Sequence, residues 1–168
     1  MQKSNLSMFI FLILVVGAAL FVWYTSRSLP EIVASHFGAS GAANGFMPRS
    51  FYVKFFLAVI VGAPLAVVFL PARALNSPSA RINLPNREYW LAPERREETI
   101  EVLRGFMTQF GSMLVVFLCY AHWLVVLANN TVPPILPSSK FIGGLVIFLG
   151  IIMIWIILLL GRFRNIPR

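Results

Sequence analysis

Few side chains in this sequence can do chemistry. There are two histidines, one cysteine and six acidic residues, all of them glutamate. His36 opens the stretch "HFGASGAANGF", five residues after Glu31. An imidazole beside a carboxylate would form a proton switch near neutral pH. Alternatively, His36 packs beside Phe37 and hydrogen-bonds the loop's own backbone, holding a turn closed. His122 lies within a long apolar run, where an ionisable residue is a functional candidate by default. It suits equally a neutral imidazole turned inward onto a carbonyl or hydroxyl. Cys119 precedes it by about one helical turn, on the same face. Two such ligands do not make a zinc site, and the other apolar runs supply no further Cys, Asp or Glu. A Gly-x-Ser-x-Gly turn, a His-Glu-x-x-His pair and a glycine-rich phosphate loop are all missing from the sequence. The expectation is no catalytic residue, no metal and no cofactor, hence no enzyme.

The elements that must position these residues are suited to a membrane. Hydrophobic residues make up 58% of the chain and charged residues 12%, too apolar for a soluble domain. Four apolar runs, at residues 6–24, 51–70, 105–128 and 141–160, are each about 20 residues, enough to cross about 30 Å of hydrocarbon. The expected fold class is an all-α integral membrane protein, a four-transmembrane-helix bundle forming one domain over residues 1–168. The first run reads as a retained helix because it ends on Trp23 and Tyr24, where a cleavage site would show small residues.

Basic residues set the orientation. Lys3, Arg73, Arg81, Arg87, Arg95, Arg96, Arg104, Arg162, Arg164 and Arg168 fall on one side, and Arg27, Arg49, Lys54 and Lys140 on the other. Ten against four puts both termini in the cytoplasm, and segment 25–50 outside. In that outer loop Pro30 and Glu31 suit the first turn of a short helix running to about Ser35. Asn44-Gly45 is a tight-turn dipeptide within the glycine-rich part. The cytoplasmic segment 71–104 should be irregular through residue 92, then helical from Pro93 without interruption to about residue 128. Arg81, Arg87, Arg95 and Arg96 gather near that helix start, where they suit lipid headgroups. The second outer loop, 129–140, is short and proline-rich. Its Asn129-Asn130-Thr131 matches a glycosylation pattern, but lies too near the membrane to make a good acceptor. A net charge of +8 without a nucleic-acid-binding motif points to anionic lipid as the partner, not nucleic acid.

Two stretches carry a family resemblance. "LPEIVASHFGASGAANGF" resembles the outer-loop signature of small bacterial membrane proteins that carry the conserved domain of unknown function found in SdpI. "INLPNREYWLAPERREE" is similar to the cytoplasmic Asn-x-Pro-Asn-x-x-Tyr-Trp segment of short members, here Asn83, Pro85, Asn86, Tyr89 and Trp90. SdpI-like proteins are immunity and signalling partners for a secreted toxin peptide. The chain departs from the family in having Val33-Ala34-Ser35 before His36, where Ile-Pro-x is frequent, and Ala43-Asn44 in place of Pro-Asp. SdpI itself is longer, so immunity does not transfer. The resemblance implies a bacterial inner (cytoplasmic) membrane, multi-pass topology and weight on His36, Phe37, Gly41, Asn86, Tyr89 and Trp90.

The leading expectation is a non-enzymatic SdpI-like binding or regulatory protein. His36, Phe37, Gly41, Asn44 and Gly45 would form an outer recognition loop for a peptide or another membrane protein. The alternative is a small transporter or proton-linked permease subunit using His122. So few polar groups across four helices would make a thin pathway, so that reading calls for a homo-oligomer.

Overall fold

The computed structural model describes residues 2–75, 77 and 82–166. In chain order the elements are α1 (Gln2–Thr25), β1 (Ile32–Phe37), β2 (Ala43–Pro48), α2 (Arg49–Leu75), the single-turn α3 (Arg87–Trp90), α4 (Arg96–Asn129) and α5 (Ser138–Arg164). α1, α2, α4 and α5 are each long and apolar enough to cross a membrane, so the chain is a multi-pass membrane protein, helical apart from one hairpin. The helices outrun the apolar runs that announce them. Hydrocarbon thickness sets a minimum length, and polar or basic ends carry the backbone ladder on into the headgroup layer.

Two boundaries differ from expectation for local reasons. α2 continues through Pro64 and Pro71 to Leu75, where an irregular segment was expected from Pro71. A transmembrane helix tolerates proline because its neighbours re-satisfy the freed carbonyls. α4 starts at Arg96 and not at Pro93, because the N–H groups of Arg95 and Arg96 both close a turn onto the Ala92 carbonyl.

Three helices build the core. Phe11, Val15, Ala18 and Val22 recur on one face of α1 at helical spacing and meet Ile60 and Val68 of α2 and Val115 of α4, all buried. Gly111 of α4 makes room for the side chains of its neighbours, since a Cβ there would collide with the Val68 methyl and the Phe11 ring. Small residues at such crossings gain van der Waals contact, the main attraction left between helices in lipid. α5 is peripheral. It lies along α4 through the Phe117–Phe148 stack at 4.2 Å, the rings of Phe106 and Phe110 around Trp155, and Gly144, where a Cβ would run into the Tyr120 ring.

Segment 31–48 forms an antiparallel hairpin, which corrects the short helix expected from Glu31 to Ser35. Ile32 and Val33 are β-branched, and strand geometry turns Val33 down onto Leu29, Tyr52 and Val126 while Ile32 faces out. The reversal is at Gly38–Ala42, with Gly41 at φ +84°, a conformation open to glycine. Asn44 and Gly45 therefore lie within β2 and not in the turn.

Candidate functional site

The hairpin is tied to the bundle at two places. The Asn129 side chain at the end of α4 grips the free edge of β1. Its Oδ1 accepts from the Ala34 N–H at 2.8 Å, and its Nδ2 donates to the Ala34 carbonyl at 2.9 Å and to the Val125 carbonyl at 2.9 Å. The amide thus supplies both halves of a missing strand partner, and Ala34 is fully buried beneath it. On the other side the loop before α5 pairs with the start of β2. Leu136 N–H donates to the Gly41 carbonyl at 2.8 Å, and Ala43 N–H donates to Pro134 at 3.4 Å. A side chain at Gly41 would strike the Leu136 carbonyl, so this glycine serves both the turn and the contact.

His36 stands where the register shifts twice. Ala34 pairs with Phe46, His36 with Gly45 and Phe37 with Ala43, so Ser35 bulges from one strand and Asn44 from the other. Such paired bulges twist the ribbon locally and re-aim side chains. His36 Nδ1–H donates to Asn44 Oδ1. Gly45 leaves room for it, because a Cβ there would lie 2.8 Å from the His36 Cβ. Of the two partners weighed for His36, the Glu31 carboxylate and the loop's own backbone, the ring takes neither and meets the neutral Asn44 side chain, which orients it without adding charge. Nε2 makes no hydrogen bond among the described residues. His36 is exposed and Phe37 half-buried, and Ile32 and Phe46 of the same hairpin have more than half their surface open.

His122 is the opposite case. It is completely buried between α1, α2 and α4. The Tyr52 hydroxyl lies 2.9 Å from Nδ1, and the Thr25 hydroxyl 2.8 Å from Nε2. Thr25 also reaches the Phe21 carbonyl at 2.7 Å, which uses its proton. The self-consistent pattern has Nε2–H donating to Thr25 and Tyr52 O–H donating to Nδ1, with every donor matched to an acceptor. Phe56 packs at 5.1 Å, Tyr52 stacks at 5.8 Å and Phe21 meets the ring edge at 5.9 Å. Cys119, one turn earlier, packs instead against the apolar core. Among the described residues no three His, Cys, Asp or Glu side chains gather to hold an ion.

At the other end of the bundle the Asn86–Trp90 segment closes helix ends. Trp90 Nε1–H donates to the Phe163 carbonyl at 2.8 Å, and Asn86, at φ 51°, donates to the Arg164 carbonyl at 2.8 Å. These are carbonyls that the last turn of α5 leaves unpaired. Thr99 in turn donates to the Trp90 carbonyl at 2.7 Å, and Arg96 donates to the Ser77 carbonyl at 3.0 Å just beyond α2. Arg95 lies over the Tyr89 ring at 4.1 Å. Two of the four arginines expected at lipid headgroups are thus engaged by the protein itself. Arg87 is exposed, and Arg81 lies outside the described residues, as does Arg168. Asn83 is exposed and Pro85 half-buried at the start of this segment.

Sequence reasoning singled out His36, Asn44 and Gly45, which the fold brings together, and His122, which it keeps in a separate cluster. It missed Thr25, Tyr52 and the structural use of Asn129. A depth match would have found the first two: Thr25 ends α1, Tyr52 begins α2 and His122 lies two turns before the end of α4, all at the hairpin end.

A family model for a domain of unknown function (DUF1648) matches residues 10–62. That span takes in most of α1, the whole hairpin and the first half of α2. No curated protein and no solved structure gives a match to the chain.

Proposed function

We propose that this chain is a non-enzymatic binding or regulatory protein of a bacterial inner membrane. Both termini lie in the cytoplasm, and the hairpin recognises a peptide or another membrane protein outside. The observation that carries the reading is the contrast in the hairpin itself: its backbone is clamped by Asn129 and by residues 134–136, while His36, Asn44, Ile32 and Phe46 face outward. A rigid tip with one oriented imidazole and adjoining apolar surface keeps the entropy cost of binding low. The match over residues 10–62 supports the hairpin as the unit shared with a wider family, and the resemblance to SdpI-like proteins suggests the partner class. The reading as a small transporter or proton-linked permease subunit needs His122 to face a path for solute. Its complete burial, with both nitrogens engaged, weighs against that.

The test uses whole cells carrying Ser40→Cys in a Cys119→Ser background, treated with a membrane-impermeant thiol crosslinker. A partner adduct is expected, and His36→Ala should reduce it about 10-fold, equivalent to about 1.4 kcal/mol of binding. Protection of Ser40→Cys from the reagent would overturn the orientation. Capture unaffected by His36→Ala but lost with a conservative His122→Gln change would overturn the recognition role.

A further inference from the structure

A second surface lies at the terminal end of the bundle, away from the hairpin. A cleft of about 430 Å³ opens between α1, α2 and α4. Its walls include Met8, Val68 and Phe69, and its polar edge carries Arg73 of α2, Arg104 of α4 and the buried Thr108. Arg73 is two residues from the end of α2, and Arg104 is in the third turn of α4, so both belong to the headgroup layer. The apolar wall continues from there into the level that hydrocarbon occupies.

We infer that this cleft binds an anionic glycerophospholipid, with its phosphate between Arg73 and Arg104 and an acyl chain along Met8, Phe69 and Ala72. The argument is complementarity of two kinds in one place. A guanidinium presents a planar fork that matches phosphate oxygens, and two forks from different helices suit one phosphate. A free phosphate would gain nothing from the apolar wall, whereas a lipid fills both halves. Glu101, one turn before Arg104 on α4, offsets part of the charge; Arg73 has no carboxylate on its own helix. The site differs from the arginine collar expected from the sequence, where Arg95 lies over the Tyr89 ring and Arg96 donates to the Leu75 and Ser77 carbonyls.

Native mass spectrometry and thermal unfolding of the full chain in neutral detergent test this, using added phosphatidylglycerol, phosphatidylcholine or inorganic phosphate. Phosphatidylglycerol should give one retained adduct and a raised melting temperature, phosphatidylcholine a weaker one, and inorganic phosphate none. Arg73→Gln, at an exposed position, and the fold-preserving Arg104→Lys should each weaken the phosphatidylglycerol adduct about 10-fold, while Arg87→Gln leaves it unchanged. Equal retention of phosphatidylcholine, an unweakened adduct in both Arg73→Gln and Arg104→Lys, or full stabilisation by inorganic phosphate alone would overturn the proposal.

Discussion

His122 and His36 hold imidazoles in opposite ways. The first is enclosed by three helices with both nitrogens engaged; the second stands on a hairpin with one nitrogen held by Asn44 and the other outward. The difference follows from the solvent each must satisfy. Within the bundle an unpaired polar group is costly, so a histidine survives there only when its neighbours complete it. On the hairpin water would satisfy the ring at no cost, so a partner that fixes its direction is not needed for folding. The residue that looks more unusual in the sequence is the one whose polar atoms are all engaged by neighbouring side chains.

The largest expected effect lies on the buried side of this comparison. His122→Leu keeps a similar volume but leaves the Tyr52 hydroxyl without its acceptor and takes the ring from Phe21 and Phe56. A loss of about 2–4 kcal/mol is expected, from an unpaired buried hydroxyl plus poorer packing. Unfolding in detergent micelles measures it. Adding Tyr52→Phe should recover part of the loss, because the orphaned group is then gone. If His122→Leu melts like the parent chain, the cluster does not hold the helices together and the contrast with His36 collapses.

An intermediate effect is expected where the two regions join. Asn129→Leu removes the two bonds to Ala34 and the one to Val125 while leaving the helix core intact. About 1–3 kcal/mol should be lost, because the edge amide of β1 is left buried without a partner. The loss should be local, appearing as faster hydrogen exchange across residues 32–37 and as new protease cleavage in the hairpin. Exchange that quickens equally in α1 and α4 would mean that the hairpin and the His122 cluster unfold as one unit.

What could be read in the sequence divides along the same line. The four long helices follow from local composition, because bilayer thickness translates directly into run length. The hairpin did not, since Pro30-Glu31 is a sound helix opening by itself. What overrides it is Asn129, 95 residues away, supplying the edge partner that makes a two-stranded ribbon tenable. The His36–Asn44–Gly45 group was legible as a set of residues but not as a geometry. The paired bulges at Ser35 and Asn44 depend on a register that no local pattern states. Trp90 was expected as an interfacial anchor, and its use in closing α5 depends on where that helix ends, 73 residues later.

The smallest stability effect should come from His36 itself. The residue is exposed, so His36→Ala is expected to change the unfolding free energy by no more than about 0.5 kcal/mol. Asn44→Ala should be similarly mild, since among the described residues its side chain hydrogen-bonds the imidazole alone. Partner capture separates the two residues' roles. If Asn44 acts by aiming the ring, Asn44→Ala weakens capture, and the double change weakens it no further than His36→Ala alone. Additive losses would mean that Asn44 meets the partner directly. A marked loss of stability from His36→Ala would mean that the exposed imidazole serves the fold as the buried one does, and the recognition role would have to pass to Ile32 and Phe46.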